Sequence, residues 1–336
     1  MEAKKMRFDG LDGLRAFGAV GILMMHVMTN CAFGLDGYLS DVFVPRWGDL
    51  VFLFMVISGF SVCCGYYEGI VSHKVSLEAF YKKRFVRVWP FFGVLCLLDF
   101  AMNPGLSSLY DLLMDLTLCF GIVPVKLEVI GVGWFLGVAF VFYFLFPFIC
   151  YLLSDKRRAW VAMGVSVLLG CLAGTVYGTA RYSFGVSGQF FMAGCMIYLY
   201  RDGLRRFVDR FWYLVILAAV GCTVVYYLIA DSLPVILVCC VLATLLGLRT
   251  PRHKMSILVN PVTKKLSGLS MEIYLSHMAV LTVLKKLQLT NLTPWGWVNF
   301  GLTAVMTLAG AVVLSLILNK MLQLAGKLIF RQKACA

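Results

Sequence analysis

An arginine and a histidine, Arg15 and His26, stand eleven residues apart inside one apolar stretch near the start of the chain. On an α-helix eleven steps of roughly 100° come to about 1100°, about 20° past three full turns, so both side chains occupy one face. At about 1.5 Å per residue they lie about 16 Å apart along the axis. Their chemistry is complementary. An imidazole, ordinarily titrating near ~6.5, can take a proton from a hydroxyl at neutral pH or carry a group covalently. A guanidinium offers forked donors to phosphate or carboxylate oxygens. Plainer roles exist for both: Arg15 can reach back to the aqueous edge, and a neutral His26 can hydrogen-bond a neighbouring helix.

Arg84 and Arg87 form a second candidate site. At i,i+3 they share a helix face, and two guanidinium forks so placed suit phosphate oxygens. Lys82 and Lys83 beside them also fit a general basic anchor. His277 lies close in sequence to Glu272 and Tyr274; the i,i+5 step from Glu272 makes the two flank rather than stack. A structural hydrogen bond and a catalytic part are both open to His277. His73 and His253 fall in basic loops and are given no role. The twelve cysteines mostly sit singly in apolar runs. The pairs Cys63–Cys64 and Cys239–Cys240 lack the spacer of a metal or redox motif. They read as small buried hydrophobes, and no metal is implied.

These side chains need a scaffold, and composition names its solvent. Of 336 residues 61% are hydrophobic and only 14% charged, too few to cover a water-facing surface. The apolar stretches are continuous rather than alternating, which argues for helices and against a β-barrel. Besides the first stretch, Ala16 to Ala32, others centre on Phe54, Leu95, Phe142, Ser166, Met192, Leu217, Val238, Leu275 and Leu308. The expectation is an all-α bundle of about ten transmembrane spans forming a single domain over 1–336, with no appended soluble domain.

A further stretch, 109–123, carries Asp111 and Asp115. If it does not cross, the basic residues at 82–87, 156–158, 201–210 and 249–265 are cytosolic, and few remain outside: Arg46, Lys126, Arg181, Lys285 and Lys286. Counting it as a span scatters them. Both termini are therefore expected in the cytosol, with 109–123 an interfacial or re-entrant helix whose two Asp share its wet side. Trp47, Trp295, Trp297 and Tyr38 then fall near outer ends as an aromatic belt. The net charge of +13 fits basic cytosolic loops better than a nucleic-acid binder.

Motifs along the whole chain resemble the acyltransferase-3 family of integral-membrane O-acyltransferases. Leu11-Asp12-Gly13-Leu14-Arg15 with His26 resembles its Arg-(ten residues)-His opening. Val56-Ile57-Ser58-Gly59-Phe60 is similar to its Ser-Gly-Phe span, and Arg84-Phe85-Val86-Arg87 before Pro90 to its Arg-x-x-Arg segment. Trp134, Leu136, Tyr143, Phe146 and Pro147 match its Trp-x-Leu…Tyr…Phe-Pro span. Ser270 to His277 is similar to its late Ser…Tyr-Leu-x-His stretch. Two carboxylates common in bacterial members are absent: Ala139 and Phe52 stand in their places, with Asp49 about a turn before Phe52.

The resemblance implies a multi-pass protein of the cell (inner) membrane that moves an acyl group from acyl-CoA, most simply acetyl-CoA, to a hydroxyl of a carbohydrate or glycolipid. It implies His26 and Arg15 as catalytic and Arg84 and Arg87 as the acyl-CoA site. His277, Glu272, Tyr274, Trp134 and Tyr143 would give support. Acyl-CoA is then a substrate, and no bound cofactor is expected. A secondary transporter or lipid-linked glycan flippase is the alternative; the lack of an internal repeat or of paired interrupted helices stands against it.

Overall fold

The computed structural model describes residues 8–102, 104–118, 132–177, 183–250 and 256–334. Lys4, Lys5, Arg7, Lys126, Arg181, Arg252, His253, Lys254 and positions 119–123 lie outside the described residues. Those described are helical, with no strand among them. In chain order the helices are α1 (Asp9–Asn30), α2 (Leu50–Val62), α3 (Glu68–Val71), α4 (Leu77–Met102), α5 (Leu106–Thr117), α6 (Trp134–Leu153) and α7 (Lys156–Tyr177). There follow α8 (Phe184–Leu199), α9 (Arg201–Leu228), α10 (Leu233–Gly247), α11 (Pro261–Gly268), α12 (Ser270–Lys286) and α13 (Gly296–Ala334). Every apolar centre named above falls inside one of them.

Six helical runs are long and apolar enough to cross a bilayer: α1, the run Leu39–Val71 built around α2, and α6, α7, α9 and α13. Helices α11 and α12 meet at 72°, and counted as one bent span they make seven. Helices α8 and α10, at 16 and 15 residues, are apolar but shorter. Helix α8 is apolar on all sides and buried along its length, as a helix enclosed by others must be.

Close approach of backbones makes this enclosure possible. A Cβ on Gly59 would strike the carbonyl of Phe191, and one on Gly194 that of Val56, so α2 and α8 touch backbone to backbone. Around them Phe52 stacks on Phe190 at 4.2 Å and Phe142 on Phe191 at 4.7 Å. On the bundle's outside, α7 and α9 turn Leu168, Leu169, Leu172, Leu217 and Val220 outward, the side chains a lipid-facing surface requires.

Helix α5 departs from expectation. Asp111 and Asp115 do not share a wet side: Asp115 is only 2% exposed, and Asp111 half-buried. Leu112, Asp115 and Leu116 form an i,i+3,i+4 stripe, and packing the two leucines buries the carboxylate between them. Trp89 of α4 fixes the contact by donating from Nε1 to the Leu116 carbonyl at 2.9 Å. Burial, and then the charges of Asp111 and Asp99, push the Asp115 carboxyl up to about 7.

Candidate active site

The second span is not a uniform α-helix. After Val62 it widens into a π-helical turn over Cys63–Tyr67, a deformation that re-aims side chains and recurs at functional sites. Ser58 and Ser61 before the turn, with Cys64 and Tyr66 inside it, thereby face one cavity of about 720 Å³. Helices α1, α4, α6 and α12 close the walls, contributing among others Asp12, Arg15, Arg84, Arg87, Tyr143 and Tyr274. That volume is in the range of small-molecule and cofactor pockets.

Among the described residues three arginines from two helices converge there, with Asp12 as the one carboxylate of the lining. Arg15 does not run out to an interface. It donates from Nη1 to Asp12 Oδ1 at 3.1 Å and from Nη2 to the hydroxyl of Ser61. Asp12 in turn accepts from Ser267 Oγ at 3.4 Å, which ties α1 to α11. Arg84 donates from Nη2 to Tyr66 Oη at 2.9 Å. Its guanidinium carbon lies 4.6 Å from the Tyr66 ring centre and 5.7 Å from that of Tyr143. Among the described residues Arg84 Nε is buried with no hydrogen-bond partner. Arg87 is more exposed, one turn further on.

The cavity ends at three rings. Phe54, Phe135 and Tyr274 meet with centroids 5.6 to 6.5 Å apart. Behind them Tyr274 stands 6.0 Å from the ring of His277, and His277 stands 5.2 Å from the ring of His26. The two histidines are thus adjacent, although neither lines the cavity. His277 is 1% exposed, with Nδ1 3.1 Å from the carbonyl of Ile273; His26 is half-buried.

The sequence-derived residues therefore divide. Arg15, Arg84, Arg87, Tyr143 and Tyr274 share the cavity, and His26 pairs with His277 beyond it. Glu272 turns instead toward Asn319 and the charge of Arg87. Trp134 lies edge-on to Phe135 at 6.1 Å, one residue outside the lining. Of the positions that lack the common carboxylates, Ala139 lines the cavity while Phe52 is packed in the core. Asp49 accepts from Tyr226 Oη and is committed there. Tyr66, Ser61, Phe54 and Phe135 escaped the sequence reading; Asp12 could have been found, as the i,i+3 partner of Arg15.

Fold and site together define a multi-pass membrane protein with a guanidinium-lined cavity next to a pair of imidazoles. The chain belongs to the acyltransferase-3 family, whose model, an acyltransferase domain, matches residues 8–319. It is a membrane acyltransferase. No curated protein and no solved structure matches the chain.

Proposed function

We propose that the protein transfers an acyl group, most simply acetyl, from acyl-CoA on the cytosolic side to a hydroxyl of a carbohydrate or glycolipid. The observation that supports this best is the convergence of Arg15, Arg84 and Arg87 on one cavity whose far end is separated from His26 by Tyr274 and His277. Phosphates of the donor rest on the arginines, where charge-assisted forks bind them most strongly. The thioester arm then extends past the aromatic rings toward His26.

In direct transfer the acceptor oxygen attacks the thioester carbonyl, a C–O bond forms and the C–S bond breaks. The hydroxyl proton passes to His26 and from there to the departing thiolate. In the stepwise form a ring nitrogen of His26 attacks the thioester carbonyl as the C–S bond breaks and CoA leaves as thiolate. The acceptor oxygen then takes the acyl group as the N–C bond breaks, and the hydroxyl proton ends on the thiolate. The same reading carries ten crossings, with both termini in the cytosol.

Purified protein given acetyl-CoA and a hydroxyl acceptor, with no ion gradient, is expected to release free CoA thiol and to acetylate the acceptor. The His26→Ala variant should reach the membrane in normal amount and lose both signals. A wild-type protein that moves substrate across vesicles without releasing thiol would instead favour a transporter.

A further inference from the structure

His277 has an unusual setting for a histidine. It is 1% exposed, its Nδ1 lies 3.1 Å from the Ile273 carbonyl, and among the described residues its Nε2 has no hydrogen-bond partner. A carbonyl oxygen only accepts, so the ring nitrogen facing it must carry the proton. A neutral ring then has its lone pair on Nε2. An acceptor buried without a donor is costly, and folded proteins leave few of them.

The neighbouring ring is His26, at 5.2 Å with a tilt of 41°. A rotation about χ2, a soft torsion for histidine, would bring an N–H of His26 onto that lone pair. On the other side Tyr274 holds His277 in place at 6.0 Å, wedged between Phe54 and Phe135. The carboxylate nearest in sequence to the second span's start is spent on Tyr226, and Ala139 and Phe52 offer none.

We propose that His277 is the positioning residue for His26. Its Nε2, fixed as an acceptor by the Nδ1–H bond to Ile273, receives the N–H of His26. That bond selects the His26 tautomer whose free nitrogen meets the acceptor hydroxyl or the thioester carbon. A carboxylate usually orients a catalytic imidazole in this way; here a second, neutral imidazole does. His277 itself touches no reacting atom. The inference rests on the acyl-transfer reading above.

The test compares two variants in the thiol-release assay, with membrane yield and thermal inactivation checked for each. His277→Leu keeps the packing and removes the acceptor. It should lower kcat by about ten- to a hundredfold and leave the donor KM within about twofold. His277→Gln brings an amide oxygen close to the place of Nε2 and should restore kcat to within about fivefold of wild type, because orientation needs an acceptor and not a titrating ring. A folded His277→Gln as inactive as the leucine variant would overturn positioning, since proton transfer by His277 would then be required. A wild type that transfers nothing would remove this inference together with the function it rests on. An active wild type beside an equally active His277→Leu would remove this one alone.

Discussion

Arg84 illustrates what one side chain does when its neighbours are read along with its charge. Tyr66 accepts one of its N–H groups, and the Tyr66 and Tyr143 rings lie within cation–π reach. A planar fork fits this arrangement and a point ammonium does not, so Arg84→Lys should behave almost like Arg84→Ala. The double variant Arg84→Ala, Arg87→Ala should raise the donor KM by about tenfold or more, since each charge-assisted contact carries about 1.5–3 kcal/mol. Acceptor KM should stay within about twofold. Steady-state kinetics with each substrate varied in turn decides it, and a rise confined to the acceptor KM would assign the pair to another site. Sequence spacing could pair Arg84 with Arg87, and Arg15 with Asp12, because i,i+3 geometry is local. It could not pair Arg84 with Tyr66, eighteen residues back across the π turn, nor His26 with His277 at the far end of the chain, because tertiary packing alone creates those contacts.

Helices were the most legible feature, since a continuous apolar run in a bilayer has few structures open to it. Their contacts were less so. Gly59 and Gly194 look unremarkable in sequence, yet each faces a carbonyl of the partner helix so closely that no Cβ fits. Gly194→Val should therefore force α2 from α8, cost about 1–3 kcal/mol and lower the thermal inactivation temperature. Gly203, with open space around its Cβ position, is the matched control. Helix α5 shows the converse, a local pattern misread because its polar residue sits in the apolar stripe. With the Asp115 carboxyl raised to about 7 by burial, the docked helix holds a proton that the free one has lost. Docking of α5 is then strongest below the ordinary carboxylate range of about 4 and weakens as pH climbs to about 7, where the loss is complete. Hydrogen exchange of the α5 amides, corrected for intrinsic rate, should show that slope between those limits. Asp115→Asn should flatten it, and a slope unchanged in the variant would assign the titration to another group.

At the scale of the molecule, contacts between helix ends sort those ends into two sets. At one end the Arg205 guanidinium lies 5.6 Å from the Phe8 ring and Nε donates to Thr250, while Arg201 pairs with Glu68 and donates to the Tyr198 carbonyl. Trp160 at the start of α7 donates to Tyr200 there as well. At the other end Arg46 binds the Tyr226 and Tyr227 carbonyls and Asp231, and Lys285 donates to the Asn30 carbonyl. The start of α1, the starts of α7 and α9 and the end of α10 therefore lie on one side, whichever side that is. Helix α4 leaves that side, because Arg84 meets Tyr66 near its start. Helix α6 returns to it, because Phe135 lies at the inner rings and Tyr143 beside Arg84. Helices α4 and α6 thus run in opposite directions, α4 ending and α6 beginning on the far side. The proposed topology, with both termini in the cytosol, puts the first side there, as the bias of basic residues favours. Single cysteines replacing Arg157 and Arg205, in a cysteine-depleted background, should resist an impermeant thiol reagent on intact cells. One replacing Ser107, exposed at the start of α5, should react. Labelling at Arg205 from outside would reverse the bundle and put the arginine cavity beyond reach of a cytosolic donor.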